Sequence, residues 1–105
     1  MRNFAAARDW NKFHSPKNLA IALSVEAGEL LEHFQWMSDD ESLTVSNEKI
    51  KKIQEEMADV LLYVIRLGDV LNIDLLHVAE SKIDENAKKY PVAKSRGNAK
   101  KYTEL

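Results

Sequence analysis

The chain has 105 residues, 45% of them apolar, and its 15 Lys and Arg against 17 Asp and Glu leave a net charge of −2. That length holds one domain, residues 1–105, and a charge so near zero argues against nucleic-acid binding through bulk electrostatics. With no cysteine, neither a disulfide framework nor thiolate chemistry is available, which fits a reducing cytoplasm. The longest apolar run, VLLYVI, ends at Arg66; it is too short to span a bilayer, and the N-terminus lacks the basic-then-apolar order of a signal peptide. A cytoplasmic protein with no membrane and no nucleic-acid partner is expected.

Three glycines and two prolines sit where helices would begin or end, so the spacing predicts an all-α chain of about four helices. The first runs from Asn3 to Phe13 and carries Phe4, Trp10 and Phe13. Ser15 is a natural N-cap with Pro16 at the first helical position, where its missing N–H costs nothing, and the second helix continues to Trp36. MSDDESLTVSNEK is a polar loop with room for one helical turn. Ser46 or Asn47 caps a third helix reaching Leu71, and from Met57 onward its apolar residues, among them Val60, Leu61, Val64, Ile65 and Leu67, cover nearly the whole circumference. Such a helix is central, and one chain of this size has too few partner helices to enclose it, so the bundle is completed by oligomerisation, as a homodimer or homotetramer. Asp74 caps the fourth helix, Leu75 to Tyr90, which Pro91 ends. Residues 91–105 form a basic C-terminal tail with no helical period; between Glu85 and Glu104 there are six Lys or Arg and no acid.

In SVEAGELLEHFQW the acids fall where an apolar stripe would be expected. Glu26 and Glu29 stand three apart on one helix face, flanked on one side by Leu19, Leu23, Ala27, Leu30 and Phe34 and on the other by Ile21, Val25 and Trp36. Carboxylates between two apolar flanks are partly desolvated and require a basic partner, a shared proton or a metal ion. The third helix repeats the pattern with Glu56 and Asp59, and Tyr63 follows one turn later. Either pair alone would read as a solvated charge pair; together, antiparallel packing brings four acids to one place. A hard divalent cation then fits, Mg²⁺ where phosphate oxygens complete its shell. A di-iron or di-manganese bundle would need Glu-x-x-His on two helices, which does not occur, so ligation by oxygen alone is expected.

On the fourth helix Lys82, Asn86 and Lys89 share a face, and Lys94 and Arg96 follow in the tail. A solvated face is the plain reading, and it is adopted for Lys88, Lys100 and Lys101. For Asn86, Lys89 and Arg96 a polyphosphate is the candidate partner. Trp10 and Trp36 are core aromatics or stacking surfaces for a base. His14 and His77 have no nearby nucleophile and Ser24 no basic partner, so a hydrolase triad has no footing.

SVEAGELLEHFQW, EEMADVLLYV and KIDENAKKYPVAKSRG together resemble the MazG-like all-α nucleoside triphosphate pyrophosphohydrolases, specifically the small dCTP pyrophosphatase-like branch, over nearly the whole chain. The resemblance implies a MazG-like helical bundle assembled as a dimer or a dimer of dimers. It implies Glu26, Glu29, Glu56 and Asp59 as Mg²⁺ ligands, with Mn²⁺ as a substitute. It puts Trp10, Trp36 and His14 around the base, Tyr63 near the sugar or phosphates, and Asn86 and Lys89 toward the phosphates. Some members extend further at the N-terminus, and any base contact made there is expected to be missing here. The implied reaction is hydrolysis of a nucleoside triphosphate, dCTP or a modified dCTP-like nucleotide, to monophosphate and pyrophosphate, with Glu29 as the base and Glu32 or Glu55 as alternatives. The competing expectation is a helical dimerisation module that binds metal or nucleotide without turnover.

Overall fold

A computed structural model describes residues 1–105 as six α-helices and no strands: α1 (Arg2–Ala7), α2 (Pro16–Glu32), α3 (Asp39–Ser42), α4 (Asn47–Val70), α5 (Leu75–Lys89) and α6 (Val92–Ser95), with 3₁₀ turns at Asn11–Phe13 and Tyr102–Glu104. The expected caps start the long helices. Ser15 Oγ accepts from the Asn18 N–H at 3.1 Å, Ser46 Oγ from the Lys49 N–H at 3.2 Å, and Asp74 Oδ1 from the His77 N–H at 3.2 Å. Each satisfies an N–H that the first helical turn leaves without a partner. Ser38 and Glu41 close a reciprocal capping box on α3, the single turn for which the polar loop had room.

Three stretches differ from the sequence expectation. The first helix stops at Ala7 instead of Phe13. Asp9 adopts φ 54°, and the Trp10 and Asp9 N–H groups reach back to the carbonyls of Ala5 and Ala6 at 2.9 and 3.1 Å. That is a Schellman ending with Asp in the left-handed position usually taken by glycine. The second helix ends at Glu32, four residues before Trp36, because the Phe34 and Met37 N–H groups bond three residues back, to Leu31 and Phe34. These tighter turns end the α-helix before the Ser38 cap. The tail, expected to lack helical structure, contains α6 and the Tyr102–Glu104 turn.

Two compact units are distinguished, Met1–Asn72 and Ile73–Leu105. In the first, α2 packs against α4. His14, just before α2, bonds Arg66 near the end of α4, whereas His33, just after α2, lies 4.0 Å from Glu56 in its middle. The two helices are therefore antiparallel. Ala5 of α1, Leu19 of α2 and Ile53 of α4 are the buried apolar residues. The burial is one-sided: Leu19 is buried, while Ile21 and Val25 on the other flank of the Glu26–Glu29 pair are 53% and 55% exposed. In the second unit, the Tyr90 and Tyr102 rings meet edge to face at 6.1 Å and the Lys89 ammonium lies 4.8 Å from the Tyr102 ring, so the tail turns back onto the end of α5.

Candidate active site

Antiparallel packing of α2 on α4 brings the two acidic pairs together. Glu26, Glu29 and Glu56 each offer a carboxylate oxygen, all within 4.8 Å of one another. One oxygen of Glu26 and one of Glu56 are buried without any hydrogen-bond partner. Desolvation, then the Glu29 carboxylate, pushes the Glu26 carboxyl up to about 7, and Glu56 is raised by the same two causes in the same order. Buried oxygens without a donor, on carboxyls that resist ionisation, make a cluster short of positive charge. The donors are hard oxygens at close quarters, which fits Mg²⁺ or another oxygen-seeking divalent cation. Asp59, one turn beyond Glu56, is exposed and lies outside the close trio, though its charge also acts on Glu26 and Glu56.

Asp59 and Glu26 instead share the wall of a cavity of about 380 Å³ with Phe4, Trp10, His14 and Tyr63. Three of these rings follow one another: Phe4 meets Trp10 edge to face at 5.6 Å, and Trp10 meets His14 at 6.2 Å. The Schellman ending of α1 and the 3₁₀ turn after it set this order, since a continuous helix from Asn3 to Phe13 would send Phe4 and Trp10 off at helical spacing. The cavity wall combines apolar and aromatic side chains with two carboxylates, as a ligand with a flat apolar head and an anionic, metal-paired tail would require.

Two site residues escaped the sequence reading. His33 follows Glu29 by four residues and so falls outside the Glu-x-x-His spacing, yet its Nε2 lies 4.0 Å from Glu56 Oε1. Arg66 ends the apolar run in the sequence, yet it is the single buried charged side chain, 5% exposed. Its guanidinium donates to His14 Nδ1 at 3.0 Å, Asp69 Oδ2 at 3.1 Å and Asn11 Oδ1 at 2.6 Å. Asp69 also accepts from Arg2, which anchors the start of α1 and, with Arg66, holds the Asp69 carboxyl below its usual range. The available signal was a lone Arg inside a run of aliphatic residues with an Asp three positions later, since such a charge needs a partner.

The remaining candidates lie as follows. Trp36, beyond the end of α2, is 88% exposed and contacts no other ring. Glu32 and Glu55 are exposed. Lys82, Asn86, Lys89, Lys94 and Arg96 belong to the second unit. There, Glu85 pairs with Lys89 at 3.2 Å and Lys82 at 3.6 Å, so part of the basic face is neutralised within its own helix, while Lys94 and Arg96 carry no ion pair.

An all-α protein in which two antiparallel helices each contribute acids to one cluster, next to an aromatic cavity, is the class that fold and site define. The chain belongs to the MazG-like family, whose model matches residues 21–105. It is 47% identical over 104 residues to dCTP pyrophosphatase 1 of Rattus norvegicus, covering 97% of this chain and 61% of that protein. To dCTP pyrophosphatase 1 of Homo sapiens it is 44% identical, again over 97% of this chain and 61% of the relative, so it spans less than two thirds of these proteins. Among solved structures, a pyrophosphatase from Archaeoglobus fulgidus superposes with a TM-score of 0.81 at 44% identity, covering 86% of this chain and 84% of that one. No helix is long and apolar enough to cross a membrane.

Proposed function

We propose that the chain is a Mg²⁺-dependent nucleoside triphosphate pyrophosphohydrolase of the house-cleaning kind. It cleaves dCTP, or a modified dCTP-like deoxynucleotide, between the α- and β-phosphates. The observation that carries the reading is the trio Glu26, Glu29 and Glu56, within 4.8 Å of one another with two buried oxygens lacking partners, beside an aromatic cavity. Kinship with proteins named dCTP pyrophosphatase and pyrophosphatase supports the reaction class.

Glu26, Glu29 and Glu56 would hold the ion, with Asp59 the fourth ligand of the family pattern. Bound there, Mg²⁺, or Mn²⁺ in its place, neutralises triphosphate charge and lowers the pKa of water. Glu29 takes the proton of the attacking water as its oxygen adds to phosphorus, and the α–β bridging P–O bond breaks to release pyrophosphate; Glu32 and Glu55 are the alternatives for that proton. Trp10 and His14 receive the base, Tyr63 lies toward the sugar or phosphates, and Trp36 supplies a further stacking surface. Lys82, Asn86, Lys89, Lys94 and Arg96 are assigned to the phosphates. The family match runs through both compact units, which supports one MazG-like domain over residues 1–105 with 91–105 as a basic tail. Exposed apolar side chains on α2 and α4 support a homodimer or homotetramer.

The test is a panel of normal and modified deoxynucleoside triphosphates with Mg²⁺, scored for product. Monophosphate and pyrophosphate are expected, with the cytosine nucleotides preferred. Orthophosphate as the first product would overturn the reaction, and tight binding without turnover would point to a helical dimerisation module instead.

A further inference from the structure

Arg66 carries only donors, so the ring nitrogen facing it at 3.0 Å must be an acceptor. His14 Nδ1 therefore has no proton. In a neutral imidazole the other nitrogen, Nε2, then has to carry it. Nε2 forms no hydrogen bond within the chain, and the ring lines the cavity beside Trp10. Arg66 cannot turn away, because Asn11 and Asp69 hold its two other nitrogens and the side chain is buried. Charge acts in the same direction. Glu26, Asp59 and Tyr63 share the cavity wall, and carboxylates there would favour an imidazolium; the ring's desolvation, followed by the adjacent guanidinium, instead holds His14 below its usual pKa.

We propose that Arg66 is a positioning residue that fixes His14 as the Nε2–H tautomer, so that the cavity offers one oriented donor and selects a base presenting a carbonyl oxygen or bare ring nitrogen beside Trp10. The assignment rests on the nucleotide reading above and extends it from where the base sits to which of its edges is read. An imidazole free to exchange tautomers would present a donor to one base edge and an acceptor to another and discriminate poorly. A charged imidazole would draw in phosphate at the wrong end of the site. Pinning Nδ1 removes both alternatives, and Asp69 and Asn11 compensate the buried cation that does so.

Nitrogen-15 NMR of the full chain, free of nucleotide and metal, reads the tautomer directly, with His14 assigned by loss of its signals in His14→Gln. The proton is expected on Nε2, with Nδ1 shifted as a hydrogen-bonded acceptor. Adding a non-hydrolysable α,β-imido dCTP with Mg²⁺ should move the Nε2–H proton downfield as it finds its acceptor. In Arg66→Met, tautomers and imidazolium should mix, and KM for dCTP should rise about tenfold, the loss of one oriented hydrogen bond, while kcat stays within about twofold. Arg66→Lys, a donor with no acceptor, should restore the wild-type tautomer and most of the KM; it also decides the matter if the Met variant does not fold. A proton on Nδ1 in the wild type, or an Arg66→Met protein whose KM is unchanged or whose kcat falls as much as KM rises, would overturn the assignment. The tautomer is read without nucleotide, so a failure of Arg66 to set it is distinguishable from a failure of the wild type to hydrolyse any triphosphate.

Discussion

Glu26 is the residue through which the site's electrostatics can be read without substrate. Its carboxyl is pushed from 4.5 to about 7 by desolvation and by Glu29. Between those values the folded protein keeps a proton that the unfolded chain has released, so in chelator this group's contribution to stability is complete below pH 4.5 and lost as pH rises toward about 7. The melting temperature of the metal-free wild type should therefore fall across that window relative to Glu26→Gln, which cannot titrate. His14 and Asp69, whose lowered pKa values act with the opposite sign, are present in both proteins and cancel in the difference, whereas Glu56, raised and interacting with Glu26, does not, so the difference reads the Glu26–Glu56 pair; parallel pH profiles would show that this pair ionises normally. Glu29→Gln should raise the metal-free melting temperature by relieving the same repulsion and should abolish turnover. Magnesium with a non-hydrolysable triphosphate at about a hundred times its Kd should add ~2.7 kcal/mol to the wild type and much less to this mutant. The tryptophans separate in the same kind of assay. Trp10→Ala should lose about 1–3 kcal/mol of substrate binding if a base stacks there. Trp36, at 88% exposure, reports on whether ligand or another subunit covers it: Trp36→Ala weakens binding in the first case and assembly in the second.

Among the elements, α4 is decisive, because its 24 residues carry Glu56, Asp59, Tyr63 and Arg66 in register on one rod. Its start depends on a single side chain, Ser46, whose Oγ satisfies the Lys49 N–H. Ser46→Ala should cost about 1 kcal/mol, read as a lower denaturant midpoint at unchanged slope, with kcat unaffected because the site begins more than two turns away. A fall in kcat of more than about twofold would mean that the register of α4 is tuned from its N-terminus. The left-handed Asp9 and Asn72 do comparable work at the other ends, stopping α1 in time for Trp10 to turn into the cavity and stopping α4 before Asp74 caps α5.

At the scale of the molecule, the unresolved demand is apolar surface. Met57 and Leu61 on α4 are 56% and 57% exposed, and Ile21 and Val25 leave one flank of the acidic pair uncovered. A second copy of the chain would bury these residues and also desolvate the acids from the side now open. Light scattering at micromolar concentration should give a dimer or tetramer, and Leu61→Glu should shift it toward monomer while lowering the melting temperature. A stable, monodisperse wild-type monomer would contradict this.

Local rules were enough for much of the chain. Caps at Ser15, Ser46 and Asp74, the i,i+3 placement of Glu26–Glu29 and Glu56–Asp59, and the all-helical class all follow from interactions within a few residues, and these are written in sequence order. The same rules overran at Phe13 and Trp36, where a left-handed Asp and tightened turns ended helices that propensity would have continued. What only the tertiary structure decided is every relation between helices. The packing of α2 on α4 chose the flank of the acidic pair that is buried, drew Glu56 into the close trio while leaving Asp59 on the cavity wall, and set Arg66 against a histidine 52 residues away. Those contacts depend on which faces meet across two helices, and the pattern along either helix is the same whichever way they meet.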